Sequence, residues 1–342
     1  MLGRKKAGKK TIRGRQPVAF CQEPDVRPEQ LGALCEAPDV QTGPDNPQPE
    51  AVTRELTEAK AVTRQLAKKV MAPQSPAGSR SGIEVGTSSV IGSRKSQQDA
   101  VFGYEANGWA IGIVCDGMGG LCGGEIASRV ALKSLADAWF TQRDVADIPG
   151  FLRREAISAD EKVYLQEAPD GRRLEAGTTM VAVIVRQGEL YWLSVGDSKL
   201  YFIRGQELLS LNIEHNYRLE LNTMLRQGKI TAQEYAAEEY RAEALTSYVG
   251  MGDLSLMDIS PRGYPLRDGD ILLLASDGLY RSLSEEEILT TVRKNETQMQ
   301  QAADALTAAV AGRKKQDNTS VVLLRYGKER SNSSGRSAHL LR

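Results

Sequence analysis

Five short apolar runs set the folding problem for this chain: Ala110–Val114, Met180–Val185, Leu190–Val195, Ile271–Ala275 and Ser320–Leu324. Runs of this length and composition read as buried strands. Between them lie longer helical patterns. In Gly124–Phe140, Ile126, Val130, Ser134 and Ala138 fall along one helical line, with Leu135 and Trp139 beside it. Residues 150–167 and 297–311 also read as helices, and Ser284-x-x-Glu287 is a capping box ahead of a helix through about 294. The strands cluster, and the helices are separate long pieces. That order suits layered α+β packing better than a doubly wound parallel sheet.

Before residue 83 the texture is different. Pro17, Pro24, Pro28, Pro38, Pro44, Pro47 and Pro49 exclude a helix or central strand over 16–49. Residues 50–71 lack proline and can form a short helix, and 72–82 read as a linker. Two weak repeats (Cys21–Val26 with Cys35–Val40, Ala51–Leu56 with Ala61–Leu66) do not follow a heptad. They read as duplicated low-complexity spacer rather than a partner-binding arm. The expected organisation is therefore a disordered extension and linker over 1–80, a folded domain over 81–327 and a disordered basic tail over 328–342.

The net charge is zero, with 44 Lys and Arg against 44 Asp and Glu, but it is unevenly spread. Residues 1–20 carry +7, 21–50 carry −6, 51–80 carry +4 and 328–342 carry +3, which leaves −8 for 81–327. A balanced chain with an acidic body argues against a nucleic-acid binder. The basic start has no apolar segment behind it, so it is no secretory signal. No run approaches the ~18 apolar residues that span a bilayer. The expectation is a cytoplasmic monomer whose cysteines Cys21, Cys35, Cys115 and Cys122 stay reduced.

Histidine is nearly absent: only His215 and His339, far apart. This excludes a Ser-His-Asp triad and a paired-histidine zinc site. The chemistry-bearing residues are instead aspartates at strand boundaries. Asp116 follows Ala-Ile-Gly-Ile-Val-Cys and precedes Gly-Met-Gly-Gly. Asp197 follows Leu-Ser-Val-Gly, Asp277 follows Leu-Leu-Leu-Ala-Ser, Asp317 opens Asp-Asn-Thr-Ser, and Asp99 closes Arg94-Lys-Ser-Gln-Gln. Each alone reads as turn chemistry. Together, carboxylates gathered at one core edge repel unless cations separate them. An oxygen-only set suits Mg²⁺ or Mn²⁺. The glycines between Gly117 and Gly124 let backbone approach a ligand closely and match neither a Walker A loop nor a dinucleotide fingerprint.

These residues occur in an order that resembles the metal-dependent type 2C protein phosphatases, above all their bacterial members. The matching pieces are Arg94–Ala100, Val114–Gly120 with Gly124–Ser128, Gly177–Thr179, Gly196–Tyr201, Leu274–Leu279 and Asp317–Val322. Leu225–Tyr235 looks like the family's flap, placed at about 215–250. The resemblance implies a four-layer α-β-β-α sandwich with two mainly antiparallel sheets. It implies two Mn²⁺ or Mg²⁺ ions, with room for a third. Asp116 and the Gly117 carbonyl, Asp277 and Asp317 would be metal ligands, Asp99 would support the site, and Asp197 matches the third-metal position. Arg94 would grip the substrate phosphate. The implied reaction is hydrolysis of phosphoserine and phosphothreonine proteins by direct attack of a metal-bridging water, with a cognate Ser/Thr kinase as the expected counterpart.

The pattern departs from the family at Met118, where animal members carry a histidine, at Gln97-Gln98, at Lys199, and at Glu238–Glu243, which lack the common His-Pro-x-Arg-Asn. Cys21 and Arg27 have the bare spacing of a cysteine phosphatase, but the loop between them is acidic and has no glycine. The remaining alternative is a phosphatase-like pseudoenzyme acting as a binding module. The intact set Asp116, Asp277, Asp317, Asp99 and Arg94 argues against it. His215 and Cys115 read as structural, and Cys122 as an oxidisable thiol near the site.

Overall fold

Each apolar run becomes the body of a strand, and the strands pair into two antiparallel sheets. The computed structural model describes residues 81–119, 123–168, 170–313 and 316–328. The extension over 1–80, including the helix expected at 50–71, the tail after 328, and Cys122 and His339 lie outside the described residues.

Numbering along the chain, the first sheet has five strands in the order β1 (Ser81–Val90), β12 (Thr319–Lys328), β11 (Ile271–Ala275), β7 (Lys199–Arg204), β8 (Glu207–Ser210). The second has seven strands. Its path is β10 (Tyr264–Pro265), β6 (Glu189–Val195), β5 (Met180–Arg186), β3 (Trp109–Gly119), β2 (Asp99–Ala106), while β4 (Ala176–Thr178) pairs with β3 and β9 (Asp258–Ile259) with β6. The helices are α1 (Gly123–Gln142), α2 (Ile148–Tyr164), α3 (Tyr217–Arg226), α4 (Ala232–Glu238), α5 (Asp277–Tyr280), α6 (Glu285–Lys294) and α7 (Met299–Ala311).

The apolar runs are continuous because both faces of these strands are covered. Successive side chains point to opposite faces of a strand. Val114, Val181, Val183, Leu272, Leu274, Val322 and Leu324 form the layer between the sheets. Ile111, Ile113, Ala182 and Ile184 turn the other way, onto α1 and α2. Leu273, Val321 and Leu323 turn onto α6 and α7. The result is the expected α-β-β-α sandwich.

In α1 the buried line is Ala127, Ala131, Leu135 and Trp139, one step round from the line through Ile126 and Val130, which is only partly buried. The small alanines let the helix lie close against the sheet, and Trp139 fills the space beyond them. The expected capping box is present. Ser284 Oγ accepts the Glu287 N–H (3.2 Å) and Glu287 Oε2 accepts the Ser284 N–H (2.9 Å). Among the described residues no helix is long and apolar enough to cross a membrane.

One turn governs how two of the aspartates meet. β2 and β3 are joined at Asn107-Gly108, both with positive φ (52° and 82°), the turn geometry that matches strand twist. That turn sets the register in which Asp99 lies opposite Asp116.

Leu274 is fully buried between the sheets. Leu274→Ala should destabilise the fold by about 2–5 kcal/mol. The check is a lower urea midpoint at unchanged slope. A midpoint equal to the parent's would contradict this packing.

Candidate active site

The sandwich brings all five predicted aspartates to one edge, each from a different part of the chain. Asp99 opens β2 and faces Asp116 in β3. Asp197 lies in the turn between β6 and β7, Asp277 begins α5 one residue beyond β11, and Asp317 is separated from β12 only by Asn318. Sequence placed Asp116 at a strand end. The strand in fact runs on to Gly119, because β4 takes over the pairing from β5 at Gly117–Gly119.

Each carboxylate is held by its surroundings. Asp99 Oδ2 accepts the Ser276 hydroxyl at 2.8 Å, and Ser276 Oγ accepts the Ser320 N–H at 2.9 Å. Asp99 Oδ1 is buried and has no hydrogen-bond partner. The Asp116 N–H donates to Thr179 Oγ1 (3.0 Å), and its carbonyl accepts the Thr178 hydroxyl (2.9 Å) and the Thr179 N–H (2.8 Å). Asp317 accepts Nη2 of Arg94 at 2.5 Å, and Asp277 accepts Nε of Arg281 at 2.9 Å. Gly117 donates its N–H to the Gln98 carbonyl at 3.1 Å. A Cβ on Gly117 would stand 2.1 Å from the Gly124 carbonyl oxygen. The close approach that this glycine permits is therefore to the start of α1.

Burial and mutual repulsion act on this group together. Burial, then the charge of its neighbours, pushes Asp116 well above the ordinary carboxylate range, with Asp99, Asp277, Asp197 and Asp317 all contributing. Burial raises Asp99 to about 6, against the hydrogen bonds that favour its charged form. Burial and the charge of Asp277 raise Asp197 to about 7. Asp277 is raised by burial and held back by Arg281. Among the described residues no three acidic, histidine or cysteine side chains already surround one common point at ligating distance. The donor chemistry nevertheless fits a hard divalent cation: oxygen atoms only, mutually repelling, with one buried carboxylate oxygen unpartnered.

A family model described as Protein phosphatase 2C matches residues 85–315. The chain belongs to the protein phosphatase 2C family. The serine/threonine phosphatase stp of Listeria welshimeri is 29% identical over 62% of this chain and 82% of its own length. Protein phosphatase PhpP of Streptococcus pneumoniae is 31% identical over 57% of this chain and 78% of its own. The structure of the PPM Ser-Thr phosphatase MsPP from Mycobacterium smegmatis, in complex with cacodylate, superposes with a TM-score of 0.57 at 28% identity, covering 71% of this chain and 98% of that one.

Within this protein phosphatase 2C domain, several residues that sequence reading passed over hold the site in place. Asn318 accepts the Gln98 N–H (2.8 Å) and donates to the carbonyls of Ile91 and Ser96, tying the Arg94 loop to the start of β12. Asp160, in mid-α2, is buried and accepts the N–H groups of Gly250, Gly252 and Leu254. That loop pairs Val249 with Thr178, which bonds Asp116. His215 is buried, and its Nδ1 accepts the Gly196 N–H at 3.2 Å. It thus pins the turn before Asp197, the structural role expected. Lys199 pairs with Glu214 at 3.1 Å and lies over the Tyr280 ring. The region expected to be a flap comprises α3, α4 and a turn of 3₁₀ helix at Glu239–Arg241. Arg281 was the least legible: only its place four residues after Asp277 in a helical turn hinted at a pair.

The raised carboxylates fix a pH dependence. With divalent cations chelated, the native state keeps protons on Asp99 and Asp197 until about pH 6 and 7, while the unfolded chain gives them up near pH 4. Unfolding then releases protons, so these groups make stability fall as pH rises from about 4 to about 7 and add no slope above that. In EDTA, thermal melts of Asp197→Asn should decline less steeply across this window than those of the parent. Equal slopes would contradict the account of Asp197.

Proposed function

We propose that this chain is a metal-dependent serine/threonine phosphoprotein phosphatase, with residues 81–327 as its catalytic unit. The observation that carries the reading is the gathering of Asp99, Asp116, Asp197, Asp277 and Asp317 at one edge of the sandwich, the first four with their carboxyls raised by burial and by neighbouring charge. Like charges so placed are relieved by cations. Membership of the protein phosphatase 2C family, and relatives named as serine/threonine phosphatases, support the substrate class.

In this reading Asp116, Asp277 and Asp317, with the Gly117 carbonyl, hold two Mn²⁺ or Mg²⁺ ions. When bound, such cations activate a water and offset charge on the transferring phosphoryl group. Asp99 supports them from the start of β2, with its orientation fixed by Ser276. Arg94 is 60% exposed at the side chain and sits at the rim, where its fork can turn from Asp317 to a phosphate. Thr178 and Thr179 keep the Asp116 backbone in place. Met118 offers no proton, and His215 is buried with its Nδ1 accepting the Gly196 N–H, so neither of these two side chains serves the leaving group. Phosphorylated proteins, and a cognate Ser/Thr kinase among them, are the proposed partners.

With Mn²⁺ present, the protein should hydrolyse p-nitrophenyl phosphate and a phosphothreonine peptide. EDTA should abolish turnover, and Asp277→Asn should lower it by about a hundredfold or more. Turnover that survives both treatments would sink the proposal. A folded parent with no turnover would favour the binding-module alternative.

A further inference from the structure

Arg281 stands among three carboxylates from three separate segments. Its Nε donates to Asp277 Oδ2 at 2.9 Å. Its Nη2 lies 3.5 Å from Glu243 Oε2 and 3.8 Å from Asp197 Oδ2, the last an ion pair rather than a hydrogen bond. Asp277 begins α5, Asp197 belongs to the β6–β7 turn, and Glu243 follows the 3₁₀ turn of the α3–α4 region.

The turn that carries Arg281 is itself held in place. Arg281 closes α5, and its own N–H donates to the Asp277 carbonyl at 2.9 Å. The preceding Tyr280 donates its hydroxyl to the Asp197 carbonyl at 3.1 Å, which fixes this helical turn against the β6–β7 turn. Glu243 is held from its other side by Arg218 of α3, at 2.7 Å. The three carboxylates are thus placed by backbone and neighbours, and the cation between them is part of the chain.

We infer that Arg281 is a resident cation of the site, filling the space between Asp197, Asp277 and Glu243 that in its absence would take a further divalent ion. The inference rests on the proposed reading of Asp277 as a metal ligand. A guanidinium stays protonated at any working pH and never dissociates. It neutralises this side of the cluster at every metal concentration, leaving the Asp116–Asp317 side for exchangeable cations. The chain then binds two divalent ions, and the third position named by resemblance is closed by its own side chain. Arg281 is a positioning residue in this sense. It acts on the carboxylates, and through Glu243 it ties them to the α3–α4 region.

The test is a count of bound Mn²⁺ by isothermal titration, with free Mn²⁺ checked by electron paramagnetic resonance. The parent should take up two ions. Arg281→Ala should take up a third, weaker one, and adding Asp197→Asn should remove it again. Arg281→Lys, which keeps a cation, should retain the parent count. Arg281→Gln keeps most of the bulk without the charge and gives the same reading if the alanine variant does not fold. A parent that binds three ions, or a folded Arg281→Ala or Arg281→Gln that still binds two, overturns this inference alone. A parent that binds no Mn²⁺ overturns the proposed function, and this inference with it.

Discussion

Repulsion between buried carboxylates is the constraint around which the rest of this protein is arranged. Asp99 and Asp116 face each other across a β pair, Asp277 adds its charge to both, and Asp197 and Asp317 add theirs to Asp116. Burying such a set costs stability unless hydrogen bonds and opposite charges offset it. Much of the surrounding detail does this. Ser276 bonds Asp99, though it stands at the N-cap of α5 where its hydroxyl would ordinarily serve the helix. Arg94 and Arg281 each hold one of the outer carboxylates.

The sandwich explains how a chain can hold so costly a group in register. Asp99 and Asp116 belong to one sheet, Asp277 and Asp317 flank strands of the other, and Asp197 lies where the chain crosses between them. The site exists only when the two sheets are packed face to face. The layer of Val114, Val183, Leu272, Leu274 and Val322 between them is therefore as much a part of the function as the carboxylates. Asp160 extends this logic. One carboxylate in α2 orders three backbone N–H groups, and through Val249 and Thr178 that order reaches Asp116.

What could be read from sequence came from local signals. The central strands showed as continuous apolar runs because both of their faces are buried. The Ser284–Glu287 capping box marked the start of its helix because both hydrogen bonds are local. β1 was not legible: SGIEVGTSSV is half polar, and it becomes a strand by pairing along its length with β12. The helices of the 215–250 region were missed because α4 buries no residue and α3 buries only Leu221. The site aspartates were visible as a set of strand-boundary residues. Their supports were not, since Asn318, Asp160 and Arg281 gain their partners only from the tertiary fold. The acidic balance of −8 over 81–327 was a coarse sign of the same thing, a body with more carboxylates than it has cations to answer them.

The central claim is that these aspartates, drawn from both sheets, form one centre for divalent cations. Anomalous diffraction at the manganese edge, from crystals grown with Mn²⁺, tests it most directly. The account predicts density bounded by Asp116, Asp277 and Asp317, with none between Asp197 and Arg281. Crystals with no manganese at this edge of the sandwich, or with manganese bound only elsewhere, would contradict it.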